Sequence, residues 1–464
     1  MSGSGDVSEE SEPLASAIGQ TPTASTSDGP AGRPATESPP PAKTEQGVSS
    51  PSTAPSGTAT SVNVFKSTFS SLSNRHFLFL WLGMLSLMAG TQMQMLTRGY
   101  LAYELTGSGT ILGIVNLGIA VPLLTIPLFG GAFADRFERK ALIQGGQFVA
   151  GALGLAVGIL VHTGIIAWPH LMISAMIQGS LFAFSMPARQ AIIPHLVGPE
   201  KLANAMALNA AGMSAMTMAA PALAGWLYAY AGPWNVYYVI SALGFLSMAL
   251  TAFVPKSSNP PRAVKTSVTR DILEGILYLK TNRLLMVLLV MGLITTLLAM
   301  HFRFIMPIFV VDIYQRGPES MGLLVGVMGL GALVGSLYIA GMGRKNRGML
   351  LILSSFVSGI GLLLVAVIPI YAVAAFLMLL LGLGDAGRMS LNQTLIMEKA
   401  DERYRGRVMS IFMLNFGLMP LGVLPAGILA DYIGGQAVVG TLGLLLIGVT
   451  ALVLVTQKQL RRVQ

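Results

Sequence analysis

The chain has 464 residues and a formal net charge of +9, yet only 11% of its residues are charged and 53% are hydrophobic. A soluble domain carries about 25% charged residues, so this composition cannot clothe a water-facing surface, and lipid is the expected surrounding of most of the polypeptide. The absence of cysteine excludes disulfides, thiolate metal sites and cysteine nucleophiles, and the five scattered His show no pair at metal-ligand spacing.

Residues 1–62 are rich in Ser, Thr, Pro, Ala and Gly and hold no apolar run. Such a segment cannot bury enough apolar surface to offset its ordering entropy, so a disordered tail is expected. It lacks the basic stretch and apolar core of a signal peptide. The apolar runs follow. A helix needs about 20 mostly apolar residues to cross the hydrocarbon. Six candidates lie within 63–254, near 76–103, 109–133, 141–162, 167–192, 202–230 and 233–254. A polar linker occupies 255–283. Six more lie within 284–457, near 285–312, 319–342, 348–368, 371–396, 408–430 and 436–456, before a short tail at 458–464. The expected fold is all-α, with twelve transmembrane helices in two six-helix bundles.

Charge sets the orientation. Connections after spans 2, 4, 6, 8 and 10 carry basic runs such as Arg136, Arg139, Lys140 and Arg344, Lys345, Arg347, whereas those after odd spans carry Arg316 as their one basic residue. By the positive-inside rule, both termini and the linker are expected on the cytoplasmic side of the inner membrane. Basic residues so placed argue against nucleic-acid binding. Within the linker, TRDILEGILYLKTNRLL (Thr269 to Leu285) has helical apolar spacing and acids near its start, which predicts an amphipathic helix on the cytoplasmic membrane face.

The two halves echo each other. At an offset of 203 residues Met186 meets Met389, Gln190 meets Gln393 and Met206 meets Met409, and Pro221 falls one residue out of register with Pro425. Duplicated halves are a frequent build for transporters that alternate access around a central site.

A charge inside the membrane costs several kcal/mol unless paired or hydrated, so each one is a functional candidate. Asp385 lies near mid-depth of span 10, with Arg388 at i+3 on the same helical face. The pair reads either as a fixed, self-neutralising ion pair or as a site where Asp385 takes up a proton or binds a cationic group. Arg303 sits deep in span 7 beside His301, where it could attract an anionic or zwitterionic substrate or pair with Asp312 or Asp385. Arg98, nearer the outer interface, is expected to snorkel outward. Gln92, Asn116, Gln178, Asn392 and Gln393 are further polar candidates for the pathway, with Gln94, Asn209 and Asn415 beside them. Met93, Met95, Met213, Met216 and Met218 would make a soft wall or ordinary packing.

Between spans 2 and 3 runs GGAFADRFERKAL, with a helix-packing glycine, an acid suited to a helix N-terminus and a basic cluster at the lipid surface. The segment resembles motif A of the major facilitator superfamily. Gly131, Asp135, Arg136, Arg139 and Lys140 fit it, while Glu138 stands where the family usually has glycine. The resemblance implies the major facilitator fold, and that Asp135 and Arg136 help to lock the cytoplasmic gate. The later copy, AGMGRKNRG, has Arg344 in place of the acid. RGYLAYELTGS, MPARQAIIPHLV and LANAMALNAA resemble the macrolide-efflux and enterobactin-exporter subgroup. AAPALAG in span 5 is similar to a degraded antiporter motif that keeps Pro221 and Gly225.

No phosphate-binding GxxxxGK[ST] and no credible enzyme constellation is present. The resulting expectation is a monomeric secondary transporter without cofactor or metal. It would export amphipathic or drug-like compounds, coupled to protons. The alternative is an importer or facilitator of a polar nutrient or organic anion.

Overall fold

The computed structural model describes residues 70–134, 138–255, 268–342 and 346–461. The tail at 1–62, Asp135, Arg136 and Arg344 lie outside these, as do the side chains of Arg139 and Asn415. Every regular element described is helical.

Span 1 is Arg75–Thr106, span 2 Gly109–Ala134 and span 3 Arg139–His162. Asn74 starts span 1 by accepting from the N–H groups of His76 and Phe77 at 3.0 and 3.4 Å, and Gly107, at φ 60°, ends it. Spans 4 and 5 were expected as separate rods. They are two rods within Trp168–Ala231, separated where Gly198 takes φ 70° and ψ 169°. Glycine reverses the path there without the steric penalty that a Cβ would bring. Span 6 is Pro233–Ala252.

Span 7, Arg283–Ile313, is uneven. Pro307 has no N–H for the Arg303 carbonyl, and the final turn widens so that the Tyr314 N–H reaches Phe309 O at 2.8 Å. Span 8 is Pro318–Gly341, span 9 Arg347–Val367 and span 10 Tyr371–Lys399. Span 11 comes in two pieces, Glu402–Leu418 and Val423–Ile433, on either side of a turn containing Pro420, and span 12 is Gly435–Thr456. Nine of these helices are individually long and apolar enough to cross a membrane. Spans 4, 5 and 11 complete the twelve.

The linker forms the expected helix, Val268–Thr281, and it has a protein contact. It docks on the start of span 11, where Tyr278 stacks on Tyr404 at 4.3 Å. Glu274 pairs with Arg407 at 2.9 Å, and Leu279 is buried.

The halves meet along spans 5 and 8 and along spans 2 and 11. Small residues make both seams. A Cβ on Gly225 would collide with the Pro318 carbonyl, and one on Gly427 would collide with the Gly109 carbonyl. Both contacts lie toward the face that carries the connections after odd spans, here called the far face. The opposite face, with the linker and the connections after even spans, is the basic face. Burial follows the same division. One apolar cluster near the far face joins both halves, with Leu101, Ala102 and Ala224 beside Phe309, Val365 and Ala426. Toward the basic face the buried apolar residues form two separate clusters. One is built on Phe77, Ile143 and Ile192, the other on Leu285, Leu351 and Leu395. Among the described residues, the hydrophobic seam thus closes the far side and parts toward the basic side.

Candidate functional site

The polar candidates fall into three groups. The first is between the halves. Gln92 and Met95 of span 1, Asn116 of span 2, Pro221 of span 5, Arg303 and Pro307 of span 7 and Met321 of span 8 line one small central cavity. Asn116 donates to the Leu112 carbonyl at 2.8 Å, which leaves its side-chain oxygen for the cavity. Arg303 is half-buried and makes no hydrogen bond or ion pair with the described residues. Asp312, one expected partner, instead accepts a hydrogen bond from the Tyr103 hydroxyl. The other expected partner, Asp385, acts on Arg303 only through its electric field.

The second group is inside the C-terminal half. Arg388 donates to the Asp385 carboxylate and, through Nη1, to the Thr295 carbonyl at 2.7 Å. Both charged residues are buried, as is Asn392. The Arg388 Nε and the Asn392 Oδ1 are enclosed without a partner among the described residues. All three residues line a cavity with Thr295, Met389 and Phe412. The i+3 spacing foretold the pair. The Thr295 carbonyl carried no signal, because it is a backbone group that every residue has, and periodicity along one helix does not say which carbonyl a neighbouring helix will meet.

The third group is inside the N-terminal half. Arg98 is 1% exposed and donates to Gln178 Oε1 at 2.6 Å, and Gln178 donates to Gln94 Oε1 at 3.0 Å. The expectation that Arg98 snorkels outward is therefore corrected: spans 1 and 4 offer it an acceptor inside the bundle. Gln94 and Gln178 line a cavity of about 80 Å³ walled by Met84, Met88, Phe182 and Met213. Gln393 is half-buried on span 10 and joins none of the three groups.

Of the motif between spans 2 and 3, Lys140 is described in full. Its ammonium donates to the carbonyls of Ala252 and Val254 at 2.9 and 2.5 Å, closing the C-terminal end of span 6. In span 5, Pro221 and Gly225 both pack on span 8, where the Pro221 carbonyl lies 2.6 Å from a Cβ built on Gly322. Asp431 at the far end of span 11 escaped the sequence reading. It accepts from Gly109, Thr110 and Ser108 of the other half.

A twelve-helix, two-bundle chain with a polar centre is thus in place, and comparison with known proteins agrees. The profile of the Major Facilitator Superfamily matches residues 80–421. This chain belongs to the Major Facilitator Superfamily. Among its relatives, Macrolide efflux protein A of Streptococcus pyogenes is 28% identical over 375 residues, covering 77% of this chain and 90% of that protein. Enterobactin exporter EntS of Escherichia coli O81 (strain ED1a) is 26% identical over 395 residues, 82% of this chain and 89% of the exporter. The Staphyloferrin A transporter of Staphylococcus aureus (strain NCTC 8325 / PS 47) is 27% identical over 336 residues, 70% and 81% of the two chains. Among solved structures, a point mutant of the nucleoside transporter NupG superposes with a TM-score of 0.64 at 14% identity, over 83% of this chain and 99% of NupG. A bacterial homolog of the human lysosomal transporter Spinster, inward-facing and unoccupied, gives 0.61 at 12% identity, over 84% and 96%. The structural likenesses establish the fold. As a facilitator-superfamily member with efflux proteins for relatives, the chain is a multi-pass membrane transporter and not an enzyme.

Proposed function

We propose that this transporter is a proton-coupled exporter of amphipathic or drug-like small molecules, working as a monomer by alternating access in the inner membrane. Its basic face, and with it both termini, is cytoplasmic, as the positive-inside rule requires. The observation that carries the coupling is the buried Asp385–Arg388 pair on an internal cavity. A carboxylate held there by one guanidinium is charged while the pair is intact. It becomes a proton acceptor when movement of span 10 against span 7 withdraws the Arg388–Thr295 anchor.

The closed far seam and the parted basic clusters support an inward-open state, in which substrate enters from the cytoplasm. Arg303, Gln92 and Asn116 then present hydrogen-bonding groups to a polar or anionic part of the substrate, and the Met- and Phe-lined N-terminal cavity accepts an apolar part. Asp135, Arg136 and Arg139 of the motif between spans 2 and 3 close the cytoplasmic side in the opposite state. Export is preferred to nutrient import because the matching relatives bear exporter names.

Expression in an efflux-deficient host is expected to raise tolerance to a subset of amphipathic compounds, and a protonophore is expected to remove that gain. Unchanged susceptibility to every compound in a broad panel would count against export.

A further inference from the structure

Span 2 belongs to the N-terminal half and begins at the far face with Ser108, Gly109 and Thr110. The first N–H groups of a helix have no intrahelical partner and carry partial positive charge. Here they are satisfied from the other half. Asp431 of span 11 accepts from the Gly109 N–H at 2.6 Å through one oxygen, and from the Thr110 N–H and the Ser108 hydroxyl at 2.8 Å each through the other. One turn earlier, Gly427 lies so flush against Gly109 that any Cβ would collide with its carbonyl. The glycine brings the two helices into contact, and the acid four residues on grips the exposed helix end. A second bond crosses the halves at the same face, from the Tyr103 hydroxyl of span 1 to Asp312 of span 7. The string G-x-x-A-D, at Gly427 to Asp431 in span 11, occurs in the sequence also at Gly131 to Asp135.

We infer that Asp431 is a positioning residue of the transport cycle: by capping the N-terminus of span 2 across the two halves, it latches the far face shut and sets how often the transporter opens outward. The inference rests on the alternating-access reading above. Opening the far face separates span 2 from span 11, so all three hydrogen bonds to the carboxylate must break together with the Tyr103–Asp312 bond. Closing the face restores them. A carboxylate suits this role, because charge-assisted bonds to backbone N–H groups are stronger than neutral ones. Water at the rim can receive the freed groups, so the latch is reversible.

The protein has no native cysteine, so a single reporter reads one position cleanly. Met321, buried on the wall of the central cavity in span 8, is replaced by cysteine. It is then labelled in intact cells with a membrane-impermeant maleimide, with and without an imposed pH gradient. In the M321C background, Asp431→Asn is expected to raise the labelling rate roughly tenfold to a hundredfold, the scale of losing one charge-assisted hydrogen bond. Ser108→Ala should give a smaller rise, and Asp431→Glu should restore most of the slow labelling. A residue that serves folding alone would change the amount of protein in the membrane rather than the labelling rate per molecule, and quantified surface expression separates the two.

If M321C labelling responds to the gradient but Asp431→Asn labels at the parent rate, the latch is wrong and alternating access stands. Should labelling stay slow and insensitive to the gradient in the parent and in every variant, the far face does not open, and alternating access fails and the latch with it.

Discussion

In the N-terminal half, the cavity among spans 1, 3, 4, 5 and 6 is walled by Met84, Met88, Phe182 and Met213, and its polar members, Gln94, Gln178 and Asn209 among them, are neutral. In the C-terminal half, the cavity among spans 7, 9, 10 and 11 occupies the matching place in the repeat. Its wall carries the Asp385–Arg388 pair and Asn392. One duplicated scaffold therefore provides two equivalent spaces and fills them with different chemistry. A methionine- and aromatic-lined space tolerates varied apolar shapes at little energetic risk. A buried ion pair carries a large desolvation penalty and is weak evidence for stability. Among the described residues such a pair lies in the C-terminal half alone, which fits the proposed division of labour, with contact to substrate on the N-terminal side and charge coupling on the C-terminal side.

The sharpest way to break this comparison is to unpair the C-terminal cavity. Arg388→Gln leaves the Asp385 carboxylate buried without its cation, which is expected to destabilise the protein by about 3–5 kcal/mol or to force the carboxyl neutral. Thermal unfolding in detergent measures the loss, and adding Asp385→Asn to Arg388→Gln should recover most of it. No loss in the single variant would mean that the pair is hydrated and contributes little. Asp385→Asn alone comes next. The amide still accepts from Arg388 but leaves the buried guanidinium without its anion, so some stability is expected to be lost, and gradient-driven transport per folded molecule is expected to fall about tenfold or more. Full pH-dependent transport by Asp385→Asn proteoliposomes would remove this residue from the coupling.

Much of this layout was legible in the sequence because it rests on local regularities. Apolar run lengths mark the spans, basic loops mark one face, and the i+3 spacing of Asp385 and Arg388 predicts their contact. What was hidden depends on which helices become neighbours. Arg98 finds Gln178 eighty positions away, and periodicity along one helix holds no information about that partner. Asp312 and Arg303 sit on the same span, and sequence proximity suggested that they pair. The acid turns instead to Tyr103 at the far rim, while Arg303 faces the central cavity. The linker helix was legible as amphipathic, but its apolar face would suit lipid or protein equally. The stacking of Tyr278 on Tyr404 gives it a protein contact on span 11.

A smaller effect tests the N-terminal side. Phe182 is partly exposed on the wall of that cavity, and Phe182→Ala removes apolar surface without touching a charge. The KM for an apolar substrate is expected to rise by up to about tenfold, with the pH dependence of transport unchanged. A shifted pH profile with constant KM would reverse the proposed division of labour. The smallest expected effect lies outside both cavities, at the linker. Glu274 and Arg407 are partly exposed and 2.9 Å apart, so Glu274→Gln should cost under about 1 kcal/mol and leave both KM and pH dependence as they were. Aromatic stacking and the burial of Leu279 hold the linker helix on span 11 without that ion pair. If Glu274→Gln instead changed the rate of transport, the linker would be coupled to the movement of span 11, and the contrast between the two halves would have to include the strap that joins them.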